Sequence, residues 1–105
     1  MTLKNWTLNT VTADTKTNLI SPSAASTADI VVIGREISNH GTAANISMSI
    51  TNVASADQAR LISSYPLAAN TSLHVDSRIV IDDNQKLMVE SDSLSVSFSA
   101  HGDET

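Results

Sequence analysis

Histidine, serine and aspartate are the side chains of this sequence best suited to chemistry, because together they form the nucleophile–base sets of many hydrolases. The three histidines are His40, His74 and His101. His74 alternates with Leu73 and Val75, which places it on the polar face of a strand, and a general base also needs a positioned partner. None of the 16 serines lies in a Gly-x-Ser-x-Gly sequence, the turn that exposes a nucleophilic serine. The sequence therefore predicts no catalytic residues and a protein that is not an enzyme.

Carboxylates raise the separate question of a metal site. Asp82, Asp83 and Asn84 offer oxygen ligands for Ca²⁺, but they lack the ligand spacing and the turn glycine of an EF-hand loop, which favours a solvated turn. The last residues, HGDET, hold one imidazole and two carboxylates, and we expect a disordered polar tail there. The chain has no cysteine, which excludes thiolate metal sites and disulfides. We predict no metal and no cofactor.

Two segments alternate serine with apolar residues, a period typical of β-strands. They are NISMSIT at 45–51 and SDSLSVSFS at 91–99. A hydroxyl face with few charges costs little to desolvate and keeps its hydrogen bonds when it packs against a neighbour, so it favours an interaction surface; the alternative is a solvated sheet face. With one aromatic residue of the N-terminal region, the candidate interaction residues are Trp6, Ser47, Ser49, Ser93, Ser95, Ser97 and Ser99.

The elements that must position these residues are short strands with turn residues between them. We expect a strand over 29–38 in which Gly34 marks a bulge or a close approach of two backbones. Residues 39–42 are a turn, because Asn and Gly tolerate positive φ, and 93–100 are the last strand. No helical apolar stripe is present. Seven to nine strands at roughly ten-residue spacing predict an all-β fold, a single antiparallel β-sandwich that is jelly-roll or immunoglobulin-like.

The strength of this pattern divides the chain into three parts. Residues 1–28 are polar, low in charge and weakly patterned, which predicts an N-terminal arm with weak strands that becomes ordered on a partner; the alternative is a frayed terminus. Residues 29–100 form the predicted β-sandwich core. Residues 101–105 form the predicted polar tail.

Composition excludes several classes of partner. The net charge is −5 and the six basic residues are scattered, so we expect no binding to nucleic acid, which needs clustered Lys and Arg. The longest wholly apolar stretch, residues 30–33, is far too short to span a membrane. The N-terminus has no apolar run of a signal peptide. The sequence therefore predicts a soluble protein that is made in a cytoplasm and does not contact a membrane.

Residues 29–100 also carry a series of features in a characteristic order. In chain order these are the turn 39–42, the serine-alternating strand 46–51, the Pro-Leu-Ala-Ala-x-x-Ser-Leu segment 66–73, the apolar strand 79–81, a polar turn, the Leu-x-Val strand 87–89 and the final strand 94–100. With this order the chain resembles the small β-sandwich virion proteins of tailed bacteriophages. The polar turn departs from that pattern, because such sequences commonly carry Gly-Asp there, whereas this chain has Asp83-Asn84-Gln85-Lys86.

The resemblance implies a non-enzymatic structural protein of a virion that is synthesised in a host cytoplasm. A capsid decoration (cement) protein is the first expectation, a homo-oligomer (trimer or dimer) that contacts a major capsid or tail protein. A small tail or head–tail joining protein is the first alternative. The second is a carbohydrate- or receptor-binding β-sandwich, which the aromatic inventory disfavours, since Trp6, Tyr65 and Phe98 are the only residues that can stack on a sugar.

Overall fold

A computed structural model describes residues 2–21 and 29–104, with all side chains of these residues except that of Thr2. The described residues contain no helix and form nine strands. These are β1 (Thr2–Leu8), β2 (Thr17–Ile20), β3 (Ile30–Asn39), β4 (Ala44–Asn52), β5 (Asp57–Leu67), β6 (Ser72–Val75), β7 (Ile79–Ile81), β8 (Gln85–Ser91) and β9 (Val96–Glu104). The predicted all-β fold is confirmed.

The strands form two antiparallel sheets that pack face to face. Sheet A has the order β1-β9-β3-β6, and β7 also pairs with β3; sheet B has the order β2-β8-β4-β5. Because β6 pairs with residues 35–38 of β3 and β7 pairs with residues 30–32, they act as one interrupted edge strand. Each sheet thus has four strand positions, and among the nine described strands only β4 and β5 are consecutive in the chain and paired with each other.

This strand order decides between the two predicted sandwich types. In immunoglobulin domains the first two strands are neighbours in one sheet. Here β1 and β2 lie in different sheets, and β1 pairs with the last strand, β9. The two four-position sheets have the jelly-roll arrangement.

The core lies between the sheets and is almost entirely aliphatic, as the composition requires. Alternate residues of each strand point inward, and burial of each large side chain stabilises the fold by about 1.5–3 kcal/mol. Phe98 is the one aromatic side chain among the fully buried residues of the described chain. The other large, fully buried apolar residues are Ile20, Ile30, Val32, Ile37, Ile46, Met48, Ile81, Leu87, Val89 and Val96.

A bulge in β3 confirms the prediction made for Gly34. The pairing of β3 with β9 shifts register between Val32 and Gly34, so the inward positions change from Ile30 and Val32 to Arg35 and Ile37. Arg35 is therefore buried in the core. It donates hydrogen bonds to the carbonyl oxygen (3.1 Å) and hydroxyl (2.7 Å) of Ser77, which lies in the break between β6 and β7. Burial lowers the pKa of Arg35 from its ordinary value.

The predicted division into arm, core and tail is wrong at the C-terminus. Residues 101–104 belong to β9, which pairs on one side with β1 and on the other with β3. The apolar alternation ends early because Gly102 holds the next inward position, where a Cβ would lie 2.0 Å from the carbonyl oxygen of Val31. At the other end, β1 and β2 are each part of a sheet, and residues 22–28 of the predicted arm lie outside the described residues.

Candidate interaction surface

The serines of SDSLSVSFS lie in two different environments. Residues 92–95 connect β8 in sheet B to β9 in sheet A, so the prediction that the last strand begins at Ser93 is wrong. The hydroxyls of Ser93 and Ser95 are 2.8 Å apart, and Ser95 also donates to Oδ1 of Asn39 at 3.2 Å. These bonds hold the crossing chain between the sheets. Leu94, predicted to alternate with the serines on the apolar side, is 64% exposed in this connection.

Ser97 and Ser99 point to the outer face of sheet A, where cross-strand partners bring further hydroxyls beside them. Ser97 pairs with Ser38 and Ser38 pairs with Ser72, while Ser99 pairs with Thr7 on its other side. The hydroxyls of Ser38 and Ser72 are 2.9 Å apart. We call these five residues the hydroxyl face. Most of them line a shallow groove of about 410 Å³ between β1, β9 and β3.

The ionisable groups on this side of sheet A include Glu36, three histidines and Asp103, whose Oδ1 is buried without a hydrogen-bond partner among the described residues. Glu36, which pairs with Ser99, lies 3.7 Å from Nδ1 of His74. Nε2 of His40 lies 3.5 Å from the hydroxyl of Ser97. The ring of His101 covers Gly34, where a Cβ would lie 2.4 Å from Cε1 of the ring. The three histidines thus lie around the hydroxyl face without forming a nucleophile–base–carboxylate series.

Ser47 and Ser49 lie on the opposite side of the molecule, on the outer face of sheet B. The hydroxyl of Ser47 accepts a 3.0 Å hydrogen bond from the backbone N–H of Ser64, a residue of β5 with φ of 49°. Ser49 is buried and donates to Oδ1 of Asp57 at 3.0 Å. Both hydroxyls therefore stabilise the irregular strand β5 instead of forming one face with the serines of β9.

Asp57 is the centre of a charged cluster on sheet B. Its carboxylate lies 2.6 Å from Nζ of Lys16 and 3.4 Å from Nε of Arg60. Hydrogen bonds from Lys16 and Ser49 are the largest causes that lower the pKa of Asp57 below its ordinary value of 3.8. The cluster borders a cavity of about 160 Å³ whose wall also includes Glu90. Both cations of the cluster, Lys16 and Arg60, already form ion pairs with Asp57.

The three aromatic residues are far from forming a common stacking platform. Trp6 faces the core side of sheet A and packs, half-buried, against the hydrophobic cluster. Phe98 is fully buried, and Tyr65 is 44% exposed on β5 at the edge of sheet B. The distribution does not favour the carbohydrate-binding alternative. Trp6, predicted as an interaction residue, packs against the core instead of lying on the hydroxyl face.

Residues 82–84 form a turn between β7 and β8, one residue shorter than the predicted turn 82–85, because Gln85 already belongs to β8. Oδ1 of Asp82 accepts a hydrogen bond from the backbone N–H of Asn84 at 2.9 Å, and Nδ2 of Asn84 donates to Asp83 at 3.2 Å. These bonds use one oxygen of each carboxylate. Within residues 2–21 and 29–104 no group of three or more His, Cys, Asp or Glu side chains is arranged to hold a metal ion.

Sequence reasoning missed part of the hydroxyl face and the apolar residues beside it. Thr7, Ser38 and Ser72 come from separate segments, and only the pairing of their strands brings them together. Two exposed apolar residues, Leu3 (82% exposed) and Val80 (53% exposed), belong to one cross-strand row on the same side of sheet A. The sequence shows only that each of these residues points outward from its own strand. It does not show which residues of the neighbouring strands lie beside it.

Comparisons with known proteins give no relative: no family model, no curated protein and no solved structure matches this chain. In the part of the chain that the structure describes, no helix is long and apolar enough to cross a membrane.

Proposed function

We propose that this chain is a non-enzymatic structural protein of a virion, a capsid decoration protein that docks on the capsid lattice through the hydroxyl face. The observation that carries the proposal is the hydroxyl face itself, in which Ser97 and Ser99 lie within one surface that crosses sheet A. The partner is a major capsid protein, and the resemblance of residues 29–100 to phage virion proteins is the second support.

The physical properties of this surface suit a protein interface. The centres of interfaces are depleted in charged residues and keep their polar groups hydrogen-bonded. Hydroxyls meet both conditions, because each is able to donate to and accept from a partner and costs less to desolvate than an ionised group. The exposed side chains of Leu3 and Val80 add apolar area on the same side of the sheet. Many copies on one lattice then need only modest contacts each.

The test places lysine at the centre of the hydroxyl face. In the double variant Ser97→Lys/Ser99→Lys, we expect at least a tenfold loss of chain incorporated into particles, because two desolvated ammonium groups oppose docking. Quantitative mass spectrometry of purified particles from the phage that encodes the chain measures this loss. The matched control is Asn18→Lys/Ser63→Lys, which adds the same charge to exposed positions of sheet B.

Three results would contradict the proposal. They are absence of the wild-type chain from particles, equal incorporation of both double variants, and location of the chain in the tail when particles are imaged. The last result would favour the alternative, a tail or head–tail joining protein. Circular dichroism of each variant establishes that the sandwich is folded.

A further inference from the structure

A sandwich with two open sheets has four edges, and each edge presents backbone N–H and C=O groups that are able to pair with another strand. In sheet A the edges are β1 on one side and the interrupted β6–β7 strand on the other. In sheet B the edges are β2 and β5. Natural sheets block such edges with short strands, bulges, proline or charges. The four edges of this molecule differ in how many of these blocking features they carry.

Three of the edges carry blocking features. β2 has four residues and a register shift against β8. The β6–β7 edge is broken between Val75 and Ile79. β5 is long, but its pairing with β4 shifts register at three places, Pro66 lacks an N–H, and Ser64 has a positive φ.

β1 carries only one feature of this kind, a single charge. All seven of its residues pair with β9 without a register shift, and its sequence, TLKNWTL, has no proline or glycine. Its single charge, on Lys4, lies 3.6 Å from Glu104 on the neighbouring strand. No residue that the structure describes pairs with its outer side. β1 is therefore a regular edge strand that is open to a partner strand.

We infer that β1 pairs antiparallel with β1 of a second copy of this chain, about a two-fold axis at Asn5. A two-fold axis places the same strand on both sides of the contact. Sheet A then continues across the dimer as β6-β3-β9-β1 followed by the same four positions of the second copy in reverse order.

The register follows from overlap and charge. Only an axis at Asn5, the middle residue of Thr2–Leu8, lets all seven residues of both strands pair. In that register Lys4 of one copy lies opposite Trp6 of the other, where an ammonium group and an indole attract. An axis one residue earlier would place Lys4 opposite itself, and like charges directly opposite are unfavourable. The pairing extends the proposed function, since it joins two hydroxyl faces into one surface, but it does not depend on a virion.

Two variants that introduce charges of opposite sign at Asn5 test the inference in solution. Wild type is expected to sediment as a dimer of the 11.1 kDa chain. Asn5→Lys and Asn5→Asp are each expected to dimerise about tenfold more weakly or worse, because each places like charges opposite each other. An equimolar mixture of the two variants is expected to recover the dimer. Asn18→Lys, the same change on the edge strand β2, is the control and stays dimeric.

The register is tested by cross-linking, because the chain has no cysteine of its own. Directly opposite residues of an antiparallel pair have Cβ atoms about 4.5–5.5 Å apart, near the range that a disulfide needs. Under mild oxidation Asn5→Cys is expected to form a covalent dimer, and Asn18→Cys is not.

Other outcomes overturn the inference. A monomeric wild type, a mixture of Asn5→Lys and Asn5→Asp that stays monomeric, or a dimer lost in Ser97→Lys/Ser99→Lys would each do so, the last because it would indicate pairing through the hydroxyl face. A solution dimer that is absent from particles would contradict the proposed function alone. A monomer that is present in particles would contradict the β1 pairing alone.

Discussion

At the scale of single residues, Asn39 joins more segments than any other side chain described above. It is buried at the end of β3, with 1% of its surface exposed. The two N–H groups of its amide are shared among three carbonyl groups at 2.7, 3.2 and 3.3 Å, and its amide oxygen accepts from one N–H and one hydroxyl. The partners are Thr42, Leu67, Ala68, Gly41 and Ser95. One amide thus connects the ends of β3 and β5 to the chain entering β9.

We expect Asn39→Ala to lower the free energy of unfolding by about 3 kcal/mol, because the carbonyl of Leu67 loses a buried donor and the N–H of Gly41 loses a side-chain acceptor. Urea unfolding followed by circular dichroism measures the change. Asn84→Ala is the control, since Asn84 lies in an exposed turn, and its cost is expected to stay below about 1 kcal/mol. Equal losses in both variants would show that the Asn39 network does not contribute to stability.

The Asp57 cluster predicts a dependence of stability on pH. The folded protein holds the pKa of Asp57 below 3.8, chiefly through the hydrogen bond from Lys16. A depressed pKa contributes stability that is present above the unfolded value and is lost as the pH falls through the folded value. Asp57→Asn is therefore expected to be less stable than wild type at pH 7, and the difference is expected to shrink below about pH 4.

Urea midpoints at pH 7 and pH 3 measure this difference. Asp83→Asn, which changes a carboxylate in the exposed turn before β8, is the control and is expected to show a smaller difference at pH 7. A gap between wild type and Asp57→Asn that is the same at both pH values would contradict the assignment.

At the scale of elements, β9 is the strand on which sheet A depends, because it pairs along its length with β1 and β3. Gly102 lets the backbones of β9 and β3 approach, since any Cβ there would meet the carbonyl of Val31. We expect Gly102→Ala to lower the free energy of unfolding by about 1–3 kcal/mol through this overlap. Thermal unfolding measures it against Ser99→Ala, an outward residue of the same strand. A loss no larger than that of Ser99→Ala would contradict the steric argument.

The same strand shows what the sequence was able to predict. The alternation of Leu94, Val96 and Phe98 predicted a strand whose inward face is correct at Val96 and Phe98 and wrong at Leu94, since period-two burial depends only on local order. It did not predict residues 101–104, because Gly102 provides no hydrophobic signal at the inward position after Ala100. It placed the start too early, since the bonds that fold Ser93 and Ser95 into the connection involve Asn39, which is distant in the sequence.

The interaction surface was predicted only in part for a related reason. Ser97 and Ser99 were identified from their own strand, whereas Thr7, Ser38 and Ser72 became their neighbours through the order of strands in the sheet. Ser47 and Ser49 of β4 have the same alternation, but their hydroxyls form hydrogen bonds with residues of the edge strand β5.

At the scale of the whole molecule, the two outer faces differ in character. The outer face of sheet A carries the hydroxyl face and the exposed apolar residues Leu3 and Val80. The outer face of sheet B carries Lys16, Asp57 and Arg60. Docking through sheet A would therefore leave the more charged face toward solvent, which favours solubility of the assembled particle. The edge of β1, where we propose that two copies pair, adjoins the face proposed for docking, because Leu3 and Thr7 belong to β1.

The pairing of β1 with β9 also governs when this protein is able to fold. Of the nine described strands, β1 is synthesised first and its partner β9 ninth, and sheet A has no centre until β9 is available. Contacts between distant parts of a chain form slowly, because a large loop must close before they contribute. During that interval β1 is open on both sides, and crowded nascent chains are exposed to wrong pairing with each other. If two copies pair through β1, as we propose, the β1–β9 pair must be complete within each chain before the two chains meet.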